Sequence, residues 1–251
     1  LTEARRTGTR NDLKVLEEWE QDTRDEFQLI NMKIGIIGAG EIGGVLTRRL
    51  TALGHQVSVA NSRGPETLVE LARETGAKPV SVAEAARSGE VVVVTIPEKN
   101  IPNLPRDLFA ATPDSVVVVD TGNYYPRQRD GRIEAIEAGI TESRWVAQQL
   151  KRSVVKAFNN IQAQHLLELG QPKGTPGRIA LPVAGDDPAA KAVVLRLIDE
   201  LGFDGVDAGI LDESWRQQPD TGVYGTNLDA DGVRRALSEA SQERKPEWRA
   251  E

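Results

Sequence analysis

Residues 32–46, MKIGIIGAGEIGGVL, decide how the rest of the chain is read. Lys33 to Ile37 is a short β-branched run of the kind that forms a buried strand. Gly38-Ala39-Gly40-Glu41-Ile42-Gly43 follows and matches GxGxxG. Beyond it Ile42, Val45, Leu46, Leu50 and Leu53 recur at helical spacing, which predicts a helix over about Glu41 to Leu53, stopped by Gly54. The glycine pattern alone is weak. Between a strand and a helix it has the context that a dinucleotide-binding turn requires. In that context Gly38 permits the tight turn, Gly40 lets the backbone approach a pyrophosphate, and Gly43 allows close helix–sheet packing. The helix N-terminus supplies free N–H groups for the anion.

The residue that ends the second strand, about 20 positions further on, tests the kind of dinucleotide. A carboxylate there would bind a ribose hydroxyl. The predicted strand Gln56 to Ala60 runs instead into Asn61, Ser62 and Arg63, two neutral hydrogen-bonding groups and a guanidinium suited to a 2′-phosphate. The expectation is therefore NADP(H), with NADPH preferred over NADH. A carboxylate would repel the phosphate, so its absence counts as much as Arg63.

Outward from these turns, short apolar runs alternate with helical patterns, as in a doubly wound α/β parallel sheet of Rossmann type. Pro65 opens a helix after Gly64, a short strand is expected at Lys78 to Val80, and Ser81 and Glu84 have capping-box spacing. Val91 to Ile96 is an unbroken apolar strand closed by Pro97, and Val116 to Val119 repeats the pattern. Pro102, Pro105 and Pro113 keep any helix between them short. A helical stretch near Arg144 to Leu150 leads to a strand at Val154 to Ala157. Then the rhythm changes: Gly170 to Gly177 is turn-rich, Arg178 to Val183 reads as a strand, Asp187 and Pro188 open a helix reaching Leu201, and Phe203 to Val206 reads as a strand. The expected organisation is an N-terminal extension at 1–31, a Rossmann NADP-binding domain at 32–157, a smaller C-terminal α/β lobe at 158–235, and a polar tail at 236–251, frayed or helical on the surface.

Three further stretches lie at strand ends, where open α/β sheets bind ligands. Thr95, Ile96 and Pro97 either border the nicotinamide ribose or merely end a strand. Asp120-Thr121-Gly122-Asn123 closes the fifth strand and reads equally as a turn. Asn159 and Asn160 either orient a carbonyl or ring amide, or cap the helix expected at Ala163 to Leu167. Asn123, Asn159 and Asn160 are the acceptor-pocket candidates, with no certain catalytic residue.

Composition excludes other chemistries. The 251-residue chain has 39% hydrophobic and 27% charged residues and a formal charge of −7, which argues against a nucleic-acid binder. No apolar run approaches the ~20 residues of a membrane span, and no secretory signal is apparent, so a cytoplasmic location is expected. There is no cysteine, hence no disulfide or thiolate nucleophile, and two histidines, His55 and His165, too few to suggest a metal. Hydrolase triads, P-loops and HExxH are missing. Hydride transfer needs none of these, because the cofactor carries the reactive atom.

MKIGIIGAGEIGGVL, VANSRG (59–64), VVVVTIP (91–97) and VVKAFNN (154–160) followed by Ile161 to His165, in this order, resemble the NADPH-dependent oxidoreductases of deazaflavin coenzyme F-420. Their NADPH domain is also similar to that of the six-transmembrane ferric reductases. The resemblance runs from Met32 to about Gly225. It implies reversible hydride transfer between NADPH and a deazaflavin or flavin, with no metal, in a homodimer. It also implies Gly38 to Ile42 on the pyrophosphate, Ser62 and Arg63 on the 2′-phosphate, Thr95 to Pro97 beside the nicotinamide, and Asn159 and its neighbours at the acceptor. The chain departs from the pattern at Asp120 to Arg132, which carries Tyr124, Tyr125 and several charges, and at Asp212 to Pro219. The other readings are a reductase of a small carbonyl or imine, with Tyr124 or Tyr125 as proton donor, and an NADP(H)-binding redox sensor that docks a partner through residues 1–31.

Overall fold

The structure, a computed structural model, describes residues 31–251. The extension expected at 1–31 thus falls, but for its last residue, outside the described residues. Six strands, β1 (Lys33–Ile37), β2 (Gln56–Ala60), β3 (Lys78–Pro79), β4 (Val91–Val94), β5 (Val117–Asp120) and β6 (Val155–Lys156), form a parallel sheet in the order β3-β2-β1-β4-β5-β6. Strand order reverses between β1 and β4, so the loops leaving their carboxyl ends diverge and open a crevice.

The apolar runs explain why the sheet is covered on both faces. Successive strand residues point to opposite sides. Val91 and Val93 of β4 join a core with Leu46 and Leu50 of α1 (Glu41–Ala52), while Val92 and Val94 pack with Ala85 and Ala86 of α3 (Val82–Arg87). Between them, Pro65–Leu68 makes one 3-10 turn before α2 (Val69–Thr75). Ser81 and Glu84 form the expected capping box.

Past β4, Glu98–Asn103 is a 3-10 helix that accommodates Pro102. Pro126–Asp130 forms a π-turn after β5, followed by α4 (Glu134–Glu137) and α5 (Glu142–Leu150). The strand expected to reach Ile96 stops at Val94. Thr95 still donates to Ile37 O at 2.9 Å, but its own carbonyl lies against Gly38, and the chain must leave the sheet there.

After α6 (Ala163–Glu168), β7 (Ala180–Val183) and β8 (Asp204–Asp207) make a two-stranded parallel sheet joined by α7 (Pro188–Glu200), which Asp187 caps and Pro188 opens. Paired backbone bonds between Lys156 and Ala184, 2.8 and 3.1 Å, couple this smaller α/β lobe to β6. α8 (Ala230–Glu239) buries Val233 and Leu237 on it, so helix continues through residue 236, where polar composition alone suggests a tail. Downstream, Trp248 stands against Tyr125 and Tyr224, and Arg127 donates to the carbonyls of Pro246 and Arg249 at 2.9 Å each. His55 is structural in its contacts, bonded to Met32 N at 3.2 Å and Glu200 at 3.1 Å. No helix among the described residues is long and apolar enough to cross a membrane.

Candidate active site

The glycine turn is built by steric necessity. Gly38 adopts φ 113°, and a Cβ there would stand 2.2 Å from Thr95 O. A Cβ on Gly43 would meet Gly38 O at 1.9 Å. Gly40 differs: a Cβ added to it would meet nothing within 4 Å, because it faces open space at the start of α1. It is the N-cap of that helix and offers no side chain to its N–H groups. A cradle of backbone donors on a helix N-terminus fits a pyrophosphate.

Ala39 and Gly40 share a cavity of about 590 Å³ with Asn61, Ser62, Arg63 and the Thr95-Ile96-Pro97 turn. Sequence-distant candidates are thereby gathered on one crevice. Asn61 Oδ1 accepts from Arg63 N at 2.9 Å and its Nδ2 donates to Thr67 Oγ1 at 2.8 Å. Asn61 therefore shapes the turn, leaving Ser62 and Arg63 exposed at its tip.

A second cavity, about 830 Å³, adjoins the first at Gly40, and Glu41 and Ile42 also line it. Its far wall carries Asn123, Asn159, Asn160, Tyr125 and Tyr224. The asparagines are not equivalent. Asn159 Nδ2 donates to Asn123 Oδ1 at 3.0 Å and to Gln217 O at 2.6 Å, while its Oδ1 accepts from Gln217 Nε2 at 2.9 Å. It ties β6 to the smaller lobe. Asn160 is 1% exposed and neither atom of its amide has a partner. An orphaned buried polar group costs roughly 1–3 kcal/mol. Neither asparagine caps α6, whose N-cap is Gln162.

The tyrosines separate likewise. Tyr124 is buried, its hydroxyl accepts from Ile133 N at 3.0 Å, and burial pushes it up to about 12. Tyr125 lines the cavity and its hydroxyl is bonded to that of Tyr224. Burial, then the Tyr224 hydroxyl, raises Tyr125, which keeps its proton at neutral pH.

Beneath this wall lies a buried ionic cluster that sequence reasoning did not find. Lys156 Nζ, fully buried, is 3.3 Å from Asp120 Oδ2, which also accepts from Ser143 Oγ at 2.6 Å. Asp120 Oδ1 accepts from Gly122 N at 2.9 Å. Arg129 reaches Glu98 at 3.1 Å and Asp130 at 2.9 Å, and also donates to Asn123 O. Glu142 is buried, 3.5 Å from Arg244. Burial raises Glu98 well above the carboxylate range, helped by Asp120, and raises Glu142 to about 7. Burial would lower Lys156, but Asp120, Glu142 and Glu98 outweigh it and raise it. The cluster fixes the loop that presents Asn123 and Tyr125. Its one signal in the sequence was a lysine inside the apolar run Val154 to Ala157.

Comparison with known proteins bears on this site. The family model described as NADP oxidoreductase, coenzyme F420-dependent, matches residues 33–124. The crystal structure of protein SMa0349 from Sinorhizobium meliloti is 30% identical, covers 82% of this chain and 98% of that one, and superposes with a TM-score of 0.66. A proposed F420-dependent NADP-reductase from Arthrobacter sp. FB24, 24% identical, covers 71% of this chain and 85% of its own, with a TM-score of 0.58, and shares the fold. Protein YjhV of Escherichia coli K12 is 47% identical over 66 residues, 26% of this chain and 48% of that protein. The chain spans less than half the length of the curated relatives it matches. Residues 33–124, which carry the glycine turn and the Thr95–Pro97 side of the crevice, thus match the family of coenzyme F420-dependent NADP oxidoreductases, and the chain shares its fold with a protein of that description.

Proposed function

We propose that the chain transfers hydride between NADP(H), held in the first cavity, and a deazaflavin or flavin ring in the second. The observation that carries this reading is the meeting of the two cavities at Gly40, on the carboxyl edge of the sheet. NADPH, when bound, supplies a hydride from its nicotinamide ring. The chain's own part is to bind and orient. The Gly38–Gly43 turn and the α1 N-terminus receive the pyrophosphate, Ser62 and Arg63 the 2′-phosphate, and Thr95, Ile96 and Pro97 wall the nicotinamide side. Asn123 and Asn160 border the acceptor, and Asn159 holds that border in place. Alignment of two rings is itself a large part of such a rate enhancement.

The Tyr125–Tyr224 pair supports a second reading, reduction of a small carbonyl or imine, which needs a proton donor beside the hydride. Tyr124 is unsuited to that role, since its hydroxyl is buried against Ile133. NADPH oxidation by the purified chain against a free flavin, a deazaflavin, a ferric chelate and small carbonyls separates the readings. Turnover with a ring acceptor is expected. Turnover only with a carbonyl or imine would favour the second reading, and none with any acceptor would sink both.

A further inference from the structure

The first cavity ends at the turn after β2, and that turn holds a carboxylate as well as a guanidinium. Asn61, Ser62 and Arg63 line the cavity, and no acid stands at the end of β2 itself. Glu66 lies three residues beyond Arg63, in the first turn of Pro65–Leu68. Its side chain folds back: a Cβ built on Gly64 would collide with both of its carboxylate oxygens. The space beside the α-carbon of Gly64, the residue that follows Arg63, is therefore filled by a carboxylate. The fold thus brings an acid to the turn whose strand end lacks one.

The backbone cannot carry that acid away. Asn61 Nδ2 donates to Thr67 Oγ1 at 2.8 Å, and Thr67 Oγ1 donates to Gly64 O at 2.8 Å. Thr67 N donates to the same carbonyl at 3.2 Å, and Leu68 is buried in the core. These contacts join the two ends of segment 61–67 and hold Glu66 within one turn of Arg63. Glu66 is exposed, so rotation of its side chain into solvent is its one way out. Arg63 is exposed too and forms no ion pair among the described residues, so Glu66 does not neutralise it. A phosphate monoester arriving here carries close to two negative charges. Arg63 attracts it and Glu66 repels it, and in water both effects are modest and screened by salt.

Resting on the assignment of Ser62 and Arg63 to the 2′-phosphate, we propose that Glu66 is a specificity-determining residue that opposes them. Its carboxylate stands at the phosphate end of the NADP(H) site and holds the preference for NADPH over NADH below what Arg63 alone would give. Glu66 sets a ratio rather than a general affinity. NADH has an uncharged hydroxyl at that position and is indifferent to the acid, whereas the 2′-phosphate must displace the Glu66 side chain or bind beside it.

Titration of NADPH and of NADH against the full chain and against Glu66→Gln and Glu66→Lys, at an ionic strength of about 0.02 M and again at about 0.5 M, tests this. Glu66→Gln should tighten NADPH about three- to fivefold at low salt and change NADH by less than about twofold. Glu66→Lys should tighten NADPH further. At high salt the gain in Glu66→Gln should shrink below about twofold. An NADPH-to-NADH ratio unchanged in both variants would overturn the proposal, as would weaker NADPH binding by Glu66→Gln. A change of equal size for both cofactors would also overturn it, since loss of a merely structural acid would disturb the turn for either. Arg63→Ala, titrated in parallel, keeps the two assignments apart: if it leaves NADPH binding intact, the 2′-phosphate assignment itself fails, whatever Glu66 does.

Discussion

The amide of Asn159 commits every hydrogen bond it can reach to Asn123 and Gln217, two segments otherwise far apart in the chain. Asn159→Ala would leave the buried Gln217 side chain without that partner, and we expect a loss of roughly 2–3 kcal/mol in chemical denaturation. Unchanged stability would show that the clasp between β6 and the smaller lobe contributes little. The contrast with Asn160 could not be read from the dipeptide, because it depends on where residue 217 lies. Glu98 and Glu142 were invisible for the same reason: each looks like an ordinary surface acid until Asp120, Lys156 and Arg244 are brought beside it. Arg63 was legible, since its place is set locally by the end of β2 and the Asn61 turn.

At the scale of elements, the glycine turn separates packing from ligand approach. Gly43→Ala places a methyl 1.9 Å from Gly38 O and should cost about 1–3 kcal/mol or more, seen as a lower melting temperature. Gly40→Leu meets open space, so the fold should melt as before while NADPH and NADH both bind at least about tenfold more weakly. A large drop in melting temperature for Gly40→Leu would place that residue in the packing instead. The strands and α1 were legible because β-branched runs and helical periodicity are local signals. Their ends were less so: β4 stops at Val94 through a contact with Gly38, over 50 residues earlier in the chain. Past α8 the chain is polar and mostly exposed, and the contact of Trp248 with Tyr125 and Tyr224, over 100 and over 20 residues away, has no local signal.

For the whole molecule, the buried cluster links stability to pH. Glu142, raised by burial from 4.5 to about 7, and Glu98, also raised well above 4.5 by burial, hold protons in the folded state that the unfolded chain releases. The unfolded state then binds fewer protons, so stability falls as pH rises from about 4.5 to about 7 and, for Glu142, levels off above that. Carboxylates held below their usual range by ion pairs, Asp186 with Arg144 among them, act oppositely and only at lower pH. Thermal melts should therefore show a higher midpoint near about pH 5.5 than near about pH 8, and Glu98→Gln should narrow that gap by raising the alkaline midpoint. A midpoint that climbs steadily toward alkaline pH would contradict it. The net charge of −7 makes the same demand on the cofactor, which must bring its 2′-phosphate to an acidic protein and find one well-placed cation. Direct titration of NADPH and NADH against the wild-type chain and Arg63→Ala decides whether it does. The account predicts tighter NADPH binding by the wild type and a loss on substitution of roughly tenfold or more for NADPH with little change for NADH; equal losses for the two, or no initial preference for NADPH, would contradict it.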